Sequence, residues 1–258
     1  MSNKDSTANI LIVAVVLCLV CSIIVSAAAV MLRPEQVRNQ MLDQQVNILQ
    51  VSGLWEPDKE IDELFADIEP RLVDLTTGEY VSELDQTSYD QRKAARDPDA
   101  SIELGKEVDV AGINRRANIA KVFLVKEAGE VDRYVLPVHG YGLWSTLYGY
   151  VTLEKDMNTI YALKFYDHRE TPGLGGEVDN IKWQTSWSGK KVFDEQDEIA
   201  ITVVKGNVVP GNASEDYQID GLSGATLTSN GVTNMFKFWM GEHGFKKYMD
   251  KIRLGDDV

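Results

Sequence analysis

The run Asp220-Gly-Leu-Ser-Gly-Ala-Thr-Leu-Thr228-Ser229-Asn230-Gly231 gathers hydroxyls and small residues directly before an apolar periodic segment. If that segment is a helix, its start offers unpaired backbone N–H groups and a positive dipole end, which together suit an anionic phosphate. Gly224 and Ala225 let a ligand come close to the backbone, and Ser223, Thr226 and Thr228 bring hydroxyl oxygens. The same residues would also make a hydroxyl-capped helix after a tight turn. Composition separates neither those two readings nor the two threonines.

Two further segments have the makings of a ligand wall. Glu170-Thr171-Pro172-Gly173-Leu174-Gly175-Gly176 combines a fixed φ at the proline with three glycines. A flat ring that accepts hydrogen bonds at its edge needs backbone access of that kind. The plainer reading is a glycine-rich hairpin loop. The spacing is not G-x-G-x-x-G and no βαβ unit surrounds it, so a dinucleotide fold is disfavoured. In His139-Gly-Tyr-Gly-Leu-Trp-Ser-Thr146, Tyr141 and Trp144 can stack on or edge a ring and Leu143 can cover it, although aromatics flanking a strand more often belong to a core. Lys205 ends an apolar run and would set a positive charge beside a bound electron-rich ring; otherwise it is an ordinary solvated lysine.

Other chemistries are poorly served. The three histidines, His139, His168 and His243, share no metal-ligand spacing, and no nucleophile–base pair stands out. No metal site is expected. Cys18 and Cys21 are the only cysteines and lie in the N-terminal apolar run. They read as small apolar helix residues rather than a redox pair.

The elements that must position these residues follow from hydropathy and punctuation. Residues Ile10 to Leu32 are apolar and uncharged, enough for a helix of about 34 Å that crosses a bilayer. The run exceeds a signal-peptide core, so a retained anchor is expected. It carries no ionisable group to relay ions, so this helix alone is neither pump nor channel. Pro34 is expected to close it. Lys4 and the amino terminus on one side and Arg33 and Arg38 on the other leave orientation undecided by charge. Val37, Met41, Leu42, Val46 and Leu49, then Ile61, Leu64, Phe65 and Ile68, recur at helical spacing. They predict a helical stalk, followed by an exposed polar connection from Asp85 to Asp99.

Residues 121–126 and 132–138 predict a hairpin, with further strands at 149–153, 160–166 and 199–205. Val232, Met235, Phe236, Trp239 and Met240 make the clearest helical face, and Phe245, Tyr248, Met249 and Ile252 resume it. Together these predict an α+β fold: one transmembrane helix, a helical stalk, and a mainly antiparallel sheet with flanking helices. The expected division is a short tail at 1–9, the transmembrane helix at 10–32, stalk and connection at 33–99, and a ligand-binding domain at 100–258.

The chain has 258 residues, 44% hydrophobic, with 40 acidic against 26 basic residues and a net charge of -14. An acidic surface repels phosphate backbones, which argues against nucleic-acid binding; it leaves room for a partner with a basic docking face, beside the plainer reading that the charge only keeps the domain soluble.

Asp220-Gly-Leu-Ser-Gly-Ala-Thr226 matches every specified position of D-x-x-[ST]-G-A-T, and so resembles the flavinylation motif of the FMN-binding domain family. There a flavin transferase, using FAD and magnesium, attaches FMN by a phosphoester to the last threonine. The resemblance therefore implies Thr226 as the covalent acceptor, with Asp220, Ser223, Gly224, Ala225, Leu227 and Thr228 around it. It also makes Leu143, Trp144, Glu170, Thr171, Pro172, Gly173, Leu174 and Gly175 cofactor contacts, with Lys205 nearby.

The anchor, the stalk, the E-T-P-G-L-G segment and the motif together resemble the C subunits of sodium-translocating NADH:quinone reductases. That likeness implies an electron carrier in the bacterial inner membrane, with its flavin domain periplasmic. It would relay electrons from an iron–sulfur centre to a flavin of a partner subunit, while other subunits handle NADH, quinone and sodium. FMN-carrying subunits of Rnf-type complexes share the same features and are the alternative. A tethered flavin-binding module without turnover and a purely structural assembly protein are the readings from other classes.

Overall fold

The computed structural model describes residues 6–255. Residues 1–5 of the tail, Lys4 and the amino terminus among them, lie outside the described residues. Contacts divide the chain into two compact units, one ending at Val46 and one starting at Asn47. α1 (Thr7–Ser52) is the one described helix long and apolar enough to cross a membrane. Its side chains from Ile10 through Leu17 and Ile24 to Leu32 are exposed, as a lipid-facing helix requires. Pro34 does not end it: it lies inside α1. Proline removes one N–H from the helical ladder, and the Glu, Gln, Arg, Met and Leu residues that follow are strong helix formers that carry the helix on.

In the second unit the order is α2 (Ile61–Leu64), β1 (Ile68–Asp74), α3 (Gln91–Ala94), β2 (Ser101–Glu103), β3 (Arg115–Ala117), β4 (Ile119–Glu127), β5 (Glu130–Tyr141), β6 (Thr146–Glu154), β7 (Ile160–Asp167), α4 (Ile181–Thr185), β8 (Thr202–Val203), β9 (Gln218–Ile219), α5 (Thr226–Trp239) and α6 (Lys246–Leu254). The main sheet has five strands in the order β1-β4-β5-β6-β7. Every pairing in it is antiparallel. This is the expected α+β architecture.

The sheet buries both faces, and the period-two alternation sorts its side chains. Val122, Leu124, Leu136, Val138 and Val151 join Val232, Met235, Phe236 and Trp239 of α5 and Tyr248 and Met249 of α6 in one core. Phe123, Val125, Val135 and Tyr150 turn the other way, onto Ile48, Leu49, Val51, Leu64 and Ile68. All five residues of the predicted α5 face are fully enclosed.

Two further expectations are corrected. Ile68 does not continue a helix; it opens β1, which runs through Pro70. β1 is an edge strand, the position where a missing N–H costs least. The apolar run 199–205 is strand only at Thr202–Val203, paired in parallel with β9. Ala200 and Ile201 instead donate their N–H groups to the Val192 carbonyl.

His139 on β5 links the sheet to α5. Its ring stacks on Tyr148 at 5.3 Å and packs against Trp239 at 4.8 Å. Burial, and then the nearby Arg92 charge, push its pKa from 6.5 down to about 4. The unfolded chain thus binds a proton that the folded protein refuses. The stabilisation is fully present above about pH 6.5, fades as pH falls toward about 4, and amounts to at most roughly 3 kcal/mol. In urea titrations, His139→Gln is expected to lose less stability than the parent across that window. Equal losses in the two proteins would refute this.

Candidate functional site

α5 is seated against β5 by a close backbone approach. A Cβ on Gly231 would meet the Tyr141 carbonyl oxygen at 2.4 Å, so a residue without a side chain is needed there. The approach sets the first turn of α5 beside the Gly142–Ser145 turn that joins β5 to β6, a turn closed by the Gly142 N–H donating to the Ser145 carbonyl at 2.8 Å.

The start of α5 is left open. Thr226 is its first residue, and Ala225 in the cap position supplies no side-chain hydrogen bond. The first-turn N–H groups and the helix dipole are thereby available to an anion. Gly224, at φ +70°, makes the turn into the helix.

The two threonines that composition left equivalent differ sharply. Thr226 is exposed. Thr228 is fully buried, and its hydroxyl donates to Glu170 Oε2 at 2.7 Å. Leu227 is 59% exposed beside Thr226. Ser223 and Gly224 are exposed and Ala225 is buried.

Glu170 is buried and faces inward. Its Oε1 accepts from the N–H groups of Leu143 at 3.1 Å, Trp144 at 2.8 Å and Ser145 at 3.2 Å. Burial alone would raise its pKa. The bonds from Trp144, Thr228, Leu143 and Ser145 outweigh that and hold it below the ordinary carboxylate value. Ser145 Oγ accepts from the Arg169 N–H at 2.7 Å, which ties the 142–145 turn to the 168–176 loop.

These bonds bring the predicted segments together. Leu143 and Trp144 stand exposed on one loop, with Trp144 at 67%. Thr171, Pro172, Gly173 and Leu174 are exposed on the next, and Gly175 is buried beneath them. Leu174 meets the motif: its Cδ2 would lie 2.9 Å from a Cβ at Gly224. Asp220 braces the motif from below, its Oδ1 accepting from the Val208 N–H at 2.6 Å and its carbonyl from Trp183 Nε1 at 2.8 Å. Lys205 is exposed. It lies beside the motif in the backbone, since Val204 donates to the Ile219 carbonyl and Gly221 donates to the Gly206 carbonyl.

Sequence reasoning missed the supports: Trp183, Ser145, and His168 with Asp179. His168 Nδ1 accepts from the Glu170 N–H at 3.2 Å. The imidazole proton therefore sits on Nε2, which donates to Asp179 Oδ2 at 2.8 Å. Ser145, Trp183 and Asp179 carry no local signal, because their partners lie 24, 37 and 11 residues away.

A cleft of about 490 Å³ is lined by Asn47, Lys164, Phe165, Tyr166, Asp167, His168, Asp179 and Gln184. Its lining includes no residue of an α-helix start and no serine or threonine. Chemistry places the candidate site on the shelf around Thr226. No cluster of metal-binding side chains exists among the described residues. Cys18 and Cys21 are free thiols on α1.

The shelf has the features FMN needs: an uncapped helix start for the phosphate, an exposed hydroxyl at that start, and exposed apolar side chains on three adjoining segments. Residues 142–241 match the family model described as FMN-binding domain. The chain is 50% identical to the C subunit of the Na(+)-translocating NADH-quinone reductase of Vibrio alginolyticus, over 99% of this chain and 98% of that one. To the protein of the same name from Pseudomonas aeruginosa it is 47% identical, over 99% and 100%. The crystal structure of Shewanella oneidensis NqrC superposes with a TM-score of 0.75 at 36% identity, covering 83% of this chain and 97% of that one.

Proposed function

From the premise that this chain belongs to the NqrC family, the C subunits of Na(+)-translocating NADH-quinone reductases, we propose that it holds FMN covalently on Thr226 and relays electrons within that complex. Membership makes it one component of a multi-subunit oxidoreductase, with an FMN-binding domain. It also selects between the two electron-transport families that the sequence alone resembled.

The observation that carries the attachment site is the contrast between the threonines. Thr226 is exposed at the open start of α5, while the Thr228 hydroxyl is buried and committed to Glu170. A transferase can reach only the first. Bound there, FMN supplies one-electron chemistry between an iron–sulfur centre and a flavin of a partner subunit.

The chain's own residues do the rest. The first-turn N–H groups of α5 hold the phosphate. Gly224 keeps that approach open, with Asp220 and Ser223 shaping the loop. Trp144, Leu143, Leu174 and Leu227 cover the ring and exclude water. The Thr171–Gly175 backbone would supply hydrogen-bonding groups to the bound flavin, and Lys205 would supply a positive charge beside it. α1 anchors the chain in the bacterial inner membrane, with the flavin domain on the periplasmic side. Other subunits take NADH, quinone and sodium, and a flavin transferase matures this one.

The test uses the assembled complex carrying Thr226→Ala. NADH oxidation with an artificial acceptor is expected to persist, whereas NADH-driven quinone reduction falls by about two orders of magnitude or more, as when a required electron carrier is absent. Undiminished quinone reduction in that complex would overturn the relay.

A further inference from the structure

We infer that Glu170 is the positioning residue of the flavin site: its buried carboxylate locks the Leu143–Trp144 wall and the start of α5 into one register, so that flavin attachment depends on a side chain that faces away from the flavin. The inference rests on the reading that Thr226 carries FMN, and it assigns Glu170 a different task from the cofactor contact that its segment suggests.

Three consecutive N–H groups, those of Leu143, Trp144 and Ser145, converge on one oxygen of Glu170, and the Thr228 hydroxyl binds the other. Successive N–H groups in a turn form an anion-binding concavity. Here the protein fills that concavity with its own carboxylate, so the turn is not free to take a phosphate. The open first turn of α5 is left for that purpose.

Both ends of the clamp are close-fitting. A Cβ on Gly142 would meet Glu170 Oε1 at 2.8 Å, and one on Gly175 would meet Thr228 Oγ1 at 2.5 Å and Glu170 Oε2 at 2.6 Å. Glu170 is itself held by its N–H bond to His168. Thr228 lies two residues past Thr226 on the same helix, so pulling its hydroxyl toward Glu170 fixes how Thr226 is presented. The clamp spans the three segments that carry the exposed apolar wall, the glycine loop and the acceptor.

The experiment compares full-length wild type, Glu170→Gln and Glu170→Ala, each expressed both without and with a flavin transferase and purified in detergent. Hydrogen exchange followed by mass spectrometry reads the 142–147 segment in flavin-free protein, and in-gel flavin fluorescence after denaturation reads covalent loading. Glu170→Ala is expected to speed exchange at Leu143, Trp144 and Ser145 by about tenfold or more, because their acceptor is gone. Its flavin loading is expected to drop by about fivefold or more as the acceptor start loses its register. Glu170→Gln keeps an acceptor oxygen and should stay within about threefold of wild type in both readouts.

The inference is overturned if Glu170→Ala matches wild type in either readout, or if Glu170→Gln is as impaired as Glu170→Ala in both. A wild-type chain that takes no flavin would instead sink the FMN reading. The exchange measurement would then still decide whether Glu170 holds the two loops.

Discussion

Thr226→Ala is expected to abolish covalent flavin while leaving the fold intact. Thr226 is exposed and opens α5 without serving as its cap. Losing its hydroxyl breaks no buried bond, and the change in unfolding free energy should stay within about 0.5 kcal/mol. Thr228→Val is the informative partner. It removes a fully buried hydroxyl that donates to a carboxylate, at a cost of about 1.5–3 kcal/mol. It also leaves the nucleophile in place, so flavin should still attach, at a lower yield. Denatured gels read for flavin fluorescence, with urea melts alongside, separate the two variants. A fluorescent Thr226→Ala band, or a dark Thr228→Val band on a folded protein, would reverse the assignment.

The second large effect is on stability. Trp239 is fully buried near the end of α5, packed against His139, Phe238 and Phe245. Its Nε1 donates to the His139 carbonyl at 2.6 Å. Trp239→Ala combines a large cavity with an orphaned carbonyl, and is expected to cost about 3–5 kcal/mol. α5 carries Thr226, the proposed flavin acceptor, at its other end, so the loss should also reduce flavin loading. Denaturant midpoints at unchanged slope measure the first effect. A loss below about 1 kcal/mol would contradict the packing described for this face.

Legibility in the sequence tracked how local each signal was. The α5 face was readable because Val232, Met235, Phe236 and Trp239 fall on one side of a helix whatever lies beyond it. The β4–β5 hairpin was readable because its strands adjoin in sequence. β1 was misread because Ile61, Leu64, Phe65 and Ile68 happen to sit at helical spacing, and Pro70 is a residue that strand interiors rarely hold. Only its edge position in the sheet makes that proline harmless. The 199–205 run looked like a strand by apolarity, yet most of its backbone bonds go elsewhere.

At the site, the motif pointed to one helix start but not to which way each side chain faces. Glu170 finds its partners 26 and 58 residues away, and no local pattern announces contacts of that range. The same holds for Trp183 beneath Asp220, 37 residues apart. Composition left Thr226 and Thr228 alike; the motif's likeness chose Thr226, and burial supplies the physical difference between them.

The most direct test of the central claim is tandem mass spectrometry of the tryptic peptide Gly206–Lys237, taken from the chain co-expressed with a flavin transferase. That peptide contains both threonines and no internal lysine or arginine. FMN bonded through its phosphate to Thr226, with Thr228 unmodified, is the predicted result. FMN on Thr228 or on a serine, or an unmodified peptide, would contradict it.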